Sequence, residues 1–148
     1  MAAIDHNRPV KDSTVRRLSW LHAYLFRATR GLIGRRLVGS DMLLLTTTGR
    51  VSGEPHTVPL LFLSEGDTLV VIASYGGRDQ HPDWYLNLVE NPHVVVQVRG
   101  ERREMRARTA DPEKRAEWWP RIVKAYDGYR EYQTRTEREI PVVLLEGV

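Results

Sequence analysis

The chain has 148 residues, the size of one ordinary domain, and its 41% apolar and 28% charged residues permit a packed core and exclude general disorder. It contains no cysteine, which excludes disulfides, thiolate metal sites and a cysteine nucleophile, so redox chemistry would need a bound cofactor. The net charge is +3 and most of the 22 basic residues are arginine, whose planar fork suits phosphate and carboxylate and so an anionic ligand, although codon bias is the plainer account of the total arginine content.

Residues 1–12 are polar and aperiodic and read as a mobile tail. From Ser13, a candidate cap, Val15, Leu18, Leu21, His22 and Leu25 recur at helical spacing opposite Arg16 and Arg17, so 13–40 is expected to be an amphipathic helix and a glycine-bearing connector. Trp20, Tyr24, Leu25 and Phe26 beside arginines would suit either the mouth of the main domain or peripheral contact with an anionic membrane. Neither a signal-peptide pattern nor an apolar run of about 18 residues is present, which gives a cytoplasmic location as the expectation, membrane-associated at most through that helix.

The main domain is expected over 41–148. Met42 to Thr48, His56 to Leu63 and Thr68 to Ser74 are apolar or β-branched runs, separated by a turn-rich stretch and by Glu65-Gly66-Asp67, and they predict three consecutive antiparallel strands. Pro82 to Glu90 reads as a short helix stopped by Asn91-Pro92. Val94, Val96 and Val98 alternate with more polar neighbours and return near Gly100 into Arg102 to Thr109 as a hairpin. Asp111-Pro112 opens a helix to about Tyr126, in which Pro120 predicts a kink or break, and Ile140 to Leu145 is a closing strand with Pro141 at an edge or strand end. About six antiparallel strands with inserted helices give an α+β, mainly β fold, a small closed or split β-barrel, because the first connections are too short for parallel crossovers.

Two stretches could carry chemistry. Thr46-Thr47-Thr48-Gly49-Arg50-Val51-Ser52-Gly53-Glu54-Pro55 joins two strands and offers hydroxyls, backbone N–H groups and one fixed positive charge to a phosphate, or is simply a polar hairpin loop. Ala73-Ser74-Tyr75-Gly76-Gly77-Arg78, followed by His81-Pro82-Asp83-Trp84-Tyr85-Leu86-Asn87-Leu88, ends a strand in paired glycines that let backbone approach a flat ligand. The plainer account is a strand-to-helix connection with Trp84 and Tyr85 in the core.

The order and spacing of these stretches, with Val58-Pro59-Leu60 and with Tyr126, Tyr129 and Tyr132 ahead of Ile140-Pro141-Val142, resemble the deazaflavin (coenzyme F-420)-dependent nitroreductase family of split β-barrel oxidoreductases. The resemblance spans Met42 to the C-terminus. It implies an 8-hydroxy-5-deazaflavin with a phosphate-bearing tail, and hydride transfer to a nitroaromatic, quinone or conjugated unsaturated acceptor. By position, Thr48, Gly49, Arg50, Ser52 and Gly53 would hold the phosphate end. Pro59, Ala73, Ser74, Gly76 and Gly77 would line the ring, with Trp84, Tyr85 and Asn87 completing the wall, and Tyr75 and Arg78 are further candidate cofactor contacts. Ser74 would donate a hydrogen bond to charge developing on the acceptor, and Tyr126, Tyr129 and Tyr132 would form a lid over it.

The sequence departs from the family where Val51 replaces a frequent second basic residue, Glu54 lies nearby, and Tyr75 stands where lysine is common. Arg78 could compensate. His6, His22, His56, His81 and His93 show no metal-ligand spacing, so no metal is expected. Arg99, Arg102, Arg103, Arg106 and Arg108 are interrupted by Glu101 and Glu104 without interleaved aromatics, which reads as a solvated hairpin and not a nucleic-acid surface. A non-catalytic deazaflavin carrier and a barrel using flavin mononucleotide (FMN) are the alternatives, and a homodimer could form through barrel edges or the N-terminal helix.

Overall fold

The computed structural model describes residues 42–148, so the tail, the amphipathic helix and the connector expected over 1–40 lie outside the described residues. In Met42–Thr48 (β1) burial alternates, with Leu43, Leu45 and Thr47 inward and Leu44 outward, as a half-buried strand requires. Pro55–Leu61 (β2) pairs antiparallel with it, Thr48 opposite Pro55 and Met42 opposite Leu61, which isolates 49–54 as the loop between them.

The stretch expected as one strand, His56 to Leu63, is two. The ladder stops at Phe62, and Leu63–Glu65 (β3) pairs with Thr68–Ile72 (β4) across a turn with Gly66 at φ +59°. The remaining strands are His93–Val98 (β5), Glu101–Thr109 (β6) and Val142–Gly147 (β7), and the antiparallel sheet runs β2-β1-β5-β6-β7-β4-β3. Among the described residues there are thus seven strands where about six are expected, and the consecutive three-strand array does not form. β2 and β3 occupy opposite edges of the sheet yet are joined through one residue, so the sheet must curl back on itself into a half-barrel. Pro59, Leu60, Leu61 and Phe62 are all buried; a strand that bends between two sheet regions loses the in-out alternation that a flat strand keeps.

Among the described residues, three α-helices pack on the sheet: Asp83–Glu90 (α1), Pro112–Ala125 (α2) and Gly128–Thr134 (α3). Asp111 caps α2, its carboxylate accepting from the Lys114 N–H at 2.8 Å, and Pro112 fills the first turn. α2 continues unbroken through Pro120. Ala116, whose carbonyl loses its partner there, and Pro120 are both exposed, so water can satisfy that oxygen. Pro141 lies just before β7, which sits between β6 and β4 in the sheet interior, and the missing proline N–H costs that ladder nothing.

Alternation along β4 divides the core. Leu69, Val71 and Ala73 join Leu43, Leu45, Val96 and Trp84 inside the half-barrel, while Val70 and Ile72 on the other face pack under Trp118, Ile122, Tyr126 and Tyr129 from the helical layer. The β5–β6 turn holds Arg99 and Gly100 at φ +52° and +78°, the conformation of a two-residue hairpin loop. The arginines of that hairpin are divided between the turn and the two strand faces, and Arg103 and Arg108 pair with Glu101 and Glu146.

Candidate functional site

The 49–54 loop is held from within and from α1. The Gly49 N–H donates to the Glu54 carbonyl at 2.8 Å and the Gly53 N–H to the Gly49 carbonyl at 2.9 Å. A side chain at Gly49 would come within 2.5 Å of Ser52 Oγ and 2.8 Å of His56 Nε2, so those two side chains would have to shift to admit it; Gly53, at φ +71°, faces open space. Asn87 reaches in from α1: its Oδ1 accepts from the Arg50 N–H at 3.1 Å and from Arg50 Nη1 at 2.9 Å, and its amide nitrogen donates to Thr47 Oγ1 at 3.3 Å. Arg50 Nη2 also meets Asp83 Oδ1 at 3.2 Å, with the Arg50 side chain 32% and that of Asp83 87% exposed.

Asp83 and Asn87 lie four residues apart on α1 and therefore share the face toward Arg50. Trp84 and Leu88, one position on, point into the half-barrel instead. Thus Arg50, Thr48, Gly49, Ser52, Gly53 and Asn87 come together, whereas Trp84 packs in the core and Pro59 is buried within β2. Tyr85 hydrogen-bonds Thr109 at 2.9 Å and packs against His81 with ring centroids 4.8 Å apart.

The second stretch leaves β4 through Ala73 and turns tightly. Tyr75, Gly76 and Gly77 have φ of +48°, +64° and +80°, a left-handed run that two glycines tolerate and that strains a tyrosine. Arg78 Nη1 donates to Tyr75 Oη at 3.1 Å, and its guanidinium lies over the tyrosine ring. Gly77 abuts α3 so closely that an added Cβ would sit 2.6 Å from the Tyr132 carbonyl. Of the three tyrosines expected to form a lid, Tyr132 is the one whose backbone meets Gly77 of this loop. Tyr126 and Tyr129 are buried in the outer cluster, on the sheet face opposite Ala73, and the three rings form an edge-to-face series at 6.2 and 6.0 Å.

Sequence reasoning missed the residue that gathers this loop. Arg138, between α3 and β7, donates from Nη2 to the Ser74 carbonyl at 2.8 Å, from Nε to the Arg78 carbonyl at 2.7 Å, and from Nη1 to the Ala73 carbonyl at 3.3 Å; Nη1 also meets His81 Nδ1 at 3.1 Å. Arg135 adds a bond to the Gly76 carbonyl, and Thr136 one to Asp79. Desolvation first, and then the Arg138 charge, hold His81 below the ordinary histidine value, so it serves as a neutral acceptor. Burial likewise lowers the Arg138 pKa, against the attraction of Asp79. A signal existed in the sequence only as a charged residue just before an apolar strand, which is too common to single out.

The family model described as F420H(2)-dependent quinone reductase matches residues 18–147. The F420H(2)-dependent quinone reductase Rv1261c of Mycobacterium tuberculosis is 38% identical over 129 residues, covering 84% of this chain and 87% of that protein. The solved structure of an F420-H2 dependent reductase, FDR-A, is 40% identical, covers 76% of this chain and all of that one, and superposes with a TM-score of 0.68. A solved domain-swapped dimer, 36% identical, covers 87% of this chain and 98% of its own, also with a TM-score of 0.68. The split-barrel fold alone is shared with Atu2129 of Agrobacterium tumefaciens, at 17% identity and a TM-score of 0.57, over 78% of this chain and 57% of that one.

Proposed function

Because the chain belongs to the F420H(2)-dependent quinone reductase family, we propose that it reduces a quinone with hydride from reduced coenzyme F420, with the cofactor's anionic tail at the 49–54 loop and its ring at the 73–78 loop. The observation that carries this placement is the fixing of Arg50: one buried asparagine holds both its N–H and its guanidinium, while about a third of the side chain stays open to solvent. A preset cation with free donors fits a phosphate better than a mobile one, because less rotamer entropy is lost on binding. Asp83 is the one carboxylate on Arg50 among the described residues, and an ion pair this exposed is worth only about 0–1 kcal/mol, so a phosphate can displace it.

On the ring side, the left-handed Tyr75-Gly76-Gly77 turn brings backbone close to a planar ligand and leaves the Ser74, Tyr75 and Gly76 N–H groups without an acceptor among the described residues. Donors so placed suit the carbonyl edge of a deazaflavin. When bound, the reduced deazaflavin supplies a hydride, and a quinone becomes a hydroquinone by taking that hydride and one proton. Ser74 is buried and its hydroxyl caps no helix, which leaves it able to donate to the quinone oxygen as charge develops there. Tyr132, against Gly77, supplies the nearest wall for the acceptor. A second copy of the chain is the expected protein partner, in keeping with the dimeric neighbour and the open sheet edges at β2 and β3.

The test is a fluorescence titration with oxidised coenzyme F420, repeated with Arg50→Ala, alongside quinone reduction by the reduced cofactor. Saturable binding that weakens tenfold or more in the variant, about 1.4 kcal/mol or above, with turnover of a soluble quinone by the parent protein, is expected. Equal affinity in the variant would remove the tail from this loop, and binding without turnover would make the protein a carrier.

A further inference from the structure

We infer that Arg138 is a positioning residue for the cofactor ring: from behind the Ala73–Arg78 loop it turns two peptide groups so that the N–H groups of Ser74 and Tyr75 face the ligand. The inference rests on the proposed placement of the deazaflavin ring at that loop. In a trans peptide unit the C=O and N–H point in opposite directions. Arg138 draws the carbonyls of Ala73 and Ser74 toward itself, and these belong to the same peptide units as the N–H groups of Ser74 and Tyr75. Those two donors must therefore point away from the guanidinium.

The hydrogen-bond partners agree with this orientation. The N–H of Ala73 before the pair donates to the Pro141 carbonyl, and beyond Gly76, whose N–H is also without an acceptor among the described residues, that of Gly77 donates to Ser74 and that of Arg78 to Tyr75. Those of Ser74 and Tyr75 have no acceptor among the described residues. Four of the five guanidinium donors would be needed to hold the three carbonyls and His81. Lysine, with a tetrahedral head and three donors, cannot reproduce that planar set. A positive charge on the carbonyl side of two peptide groups also strengthens their N–H groups as donors, so the guanidinium would act on the ring's electron-rich edge without touching it.

The surroundings isolate this effect from a general basic patch. Arg78 is turned onto the Tyr75 ring and Arg135 is paired with Glu131, so Arg138 is the cation whose bonds converge on the two peptide groups. Asp79 attracts it from the loop side, and His81 meets it as a neutral acceptor.

The experiment compares the full chain with Arg138→Gln and Arg138→Lys. Each is titrated with whole coenzyme F420 and with the 8-hydroxy-5-deazaflavin riboside that lacks phosphate and glutamates. Arg138→Gln should weaken both ligands by about tenfold or more, Arg138→Lys should recover only part of the loss, and Arg50→Ala should weaken the whole cofactor alone. Amide hydrogen exchange of the parent protein gives a readout independent of any variant's folding: saturation with the riboside should slow exchange at Ser74 and Tyr75. Unprotected Ser74 and Tyr75 amides in the saturated protein, or unchanged affinities in a folded Arg138→Gln, would overturn the inference and leave the assigned reaction standing. Failure of the parent protein to bind either ligand would instead overturn the underlying placement and the inference with it.

Discussion

Replacing Asn87 separates two jobs that its side chain performs at once. In Asn87→Ala the Arg50 N–H and guanidinium lose their shared acceptor, and the buried Thr47 hydroxyl loses a donor. One charge-assisted bond and two neutral ones, partly replaced by water at the Arg50 side, amount to about 2–4 kcal/mol of stability. For a chain of this length that lowers the melting temperature by about 4–16 °C. In Asn87→Asp the new carboxylate still accepts from both Arg50 groups, and Thr47 can donate to it, so the melting temperature should move by less than half as much. Its charge, however, opposes the ligand. At about 6 Å and an effective dielectric of about 20, repulsion of one phosphate charge is about 3 kcal/mol, or roughly a hundredfold in affinity. Thermal melts with fluorescence titration of coenzyme F420 test both effects. The reasoning fails if Asn87→Asp is stable and binds as tightly as the parent, because no anion could then lie beside Arg50.

Two further outcomes follow from the loops. Gly77→Ala combines a positive φ with a 2.6 Å approach to the Tyr132 carbonyl, whereas Gly53→Ala meets the positive φ alone; melts should show a loss of about 1 kcal/mol for Gly53→Ala and at least about twice that for Gly77→Ala, and equal losses would mean that α3 does not press on the glycine loop. His81 is held below the usual histidine value of 6.5, so below that pH the unfolded chain binds more protons than the folded one, and stability must fall as pH drops from that value toward the folded pKa. Denaturant unfolding at graded pH should show this slope in the parent and a shallower one in His81→Gln, with no contribution from this group above neutral pH.

Most elements were legible because their signals were local. The alternation Val94, Val96, Val98 fixed which face of β5 is inward, and Asp111-Pro112 marked the start of α2 without reference to anything distant. The division of His56 to Leu63 was hidden, since no glycine, proline or polar pair marks Phe62; only the unbroken burial of Pro59 to Phe62 betrays a strand serving two regions of the sheet. The candidate site divides in the same way. Its glycines and Arg50 were readable as loop chemistry, but the roles of Asn87 and Arg138 depend on partners 37 to 65 residues away, which spacing cannot reveal. Trp84 and Asn87 also looked alike as parts of one wall, although the turn of α1 sends the first inward and the second to Arg50.

That turn has a consequence for how the two halves of the site can vary. Asp83 and Asn87 face the tail loop while Trp84 and Leu88, on the adjoining stripe of the same two-turn helix, are 5% and 2% exposed in the core. Rotating α1 to alter the grip on Arg50 would pull two large side chains out of the half-barrel, at about 1.5–3 kcal/mol for each side chain exposed. The grip is thereby tied to core packing and resists change. On the proposed acceptor side the backbone is held by Arg138 and by α3, but the side chains of Tyr75, Arg78 and Tyr132 are half-buried or exposed, and substituting them leaves α1 in place. On the proposed placement of cofactor and acceptor, differences in quinone preference between relatives should trace to the 75–78 loop and α3 and leave affinity for the cofactor tail unchanged.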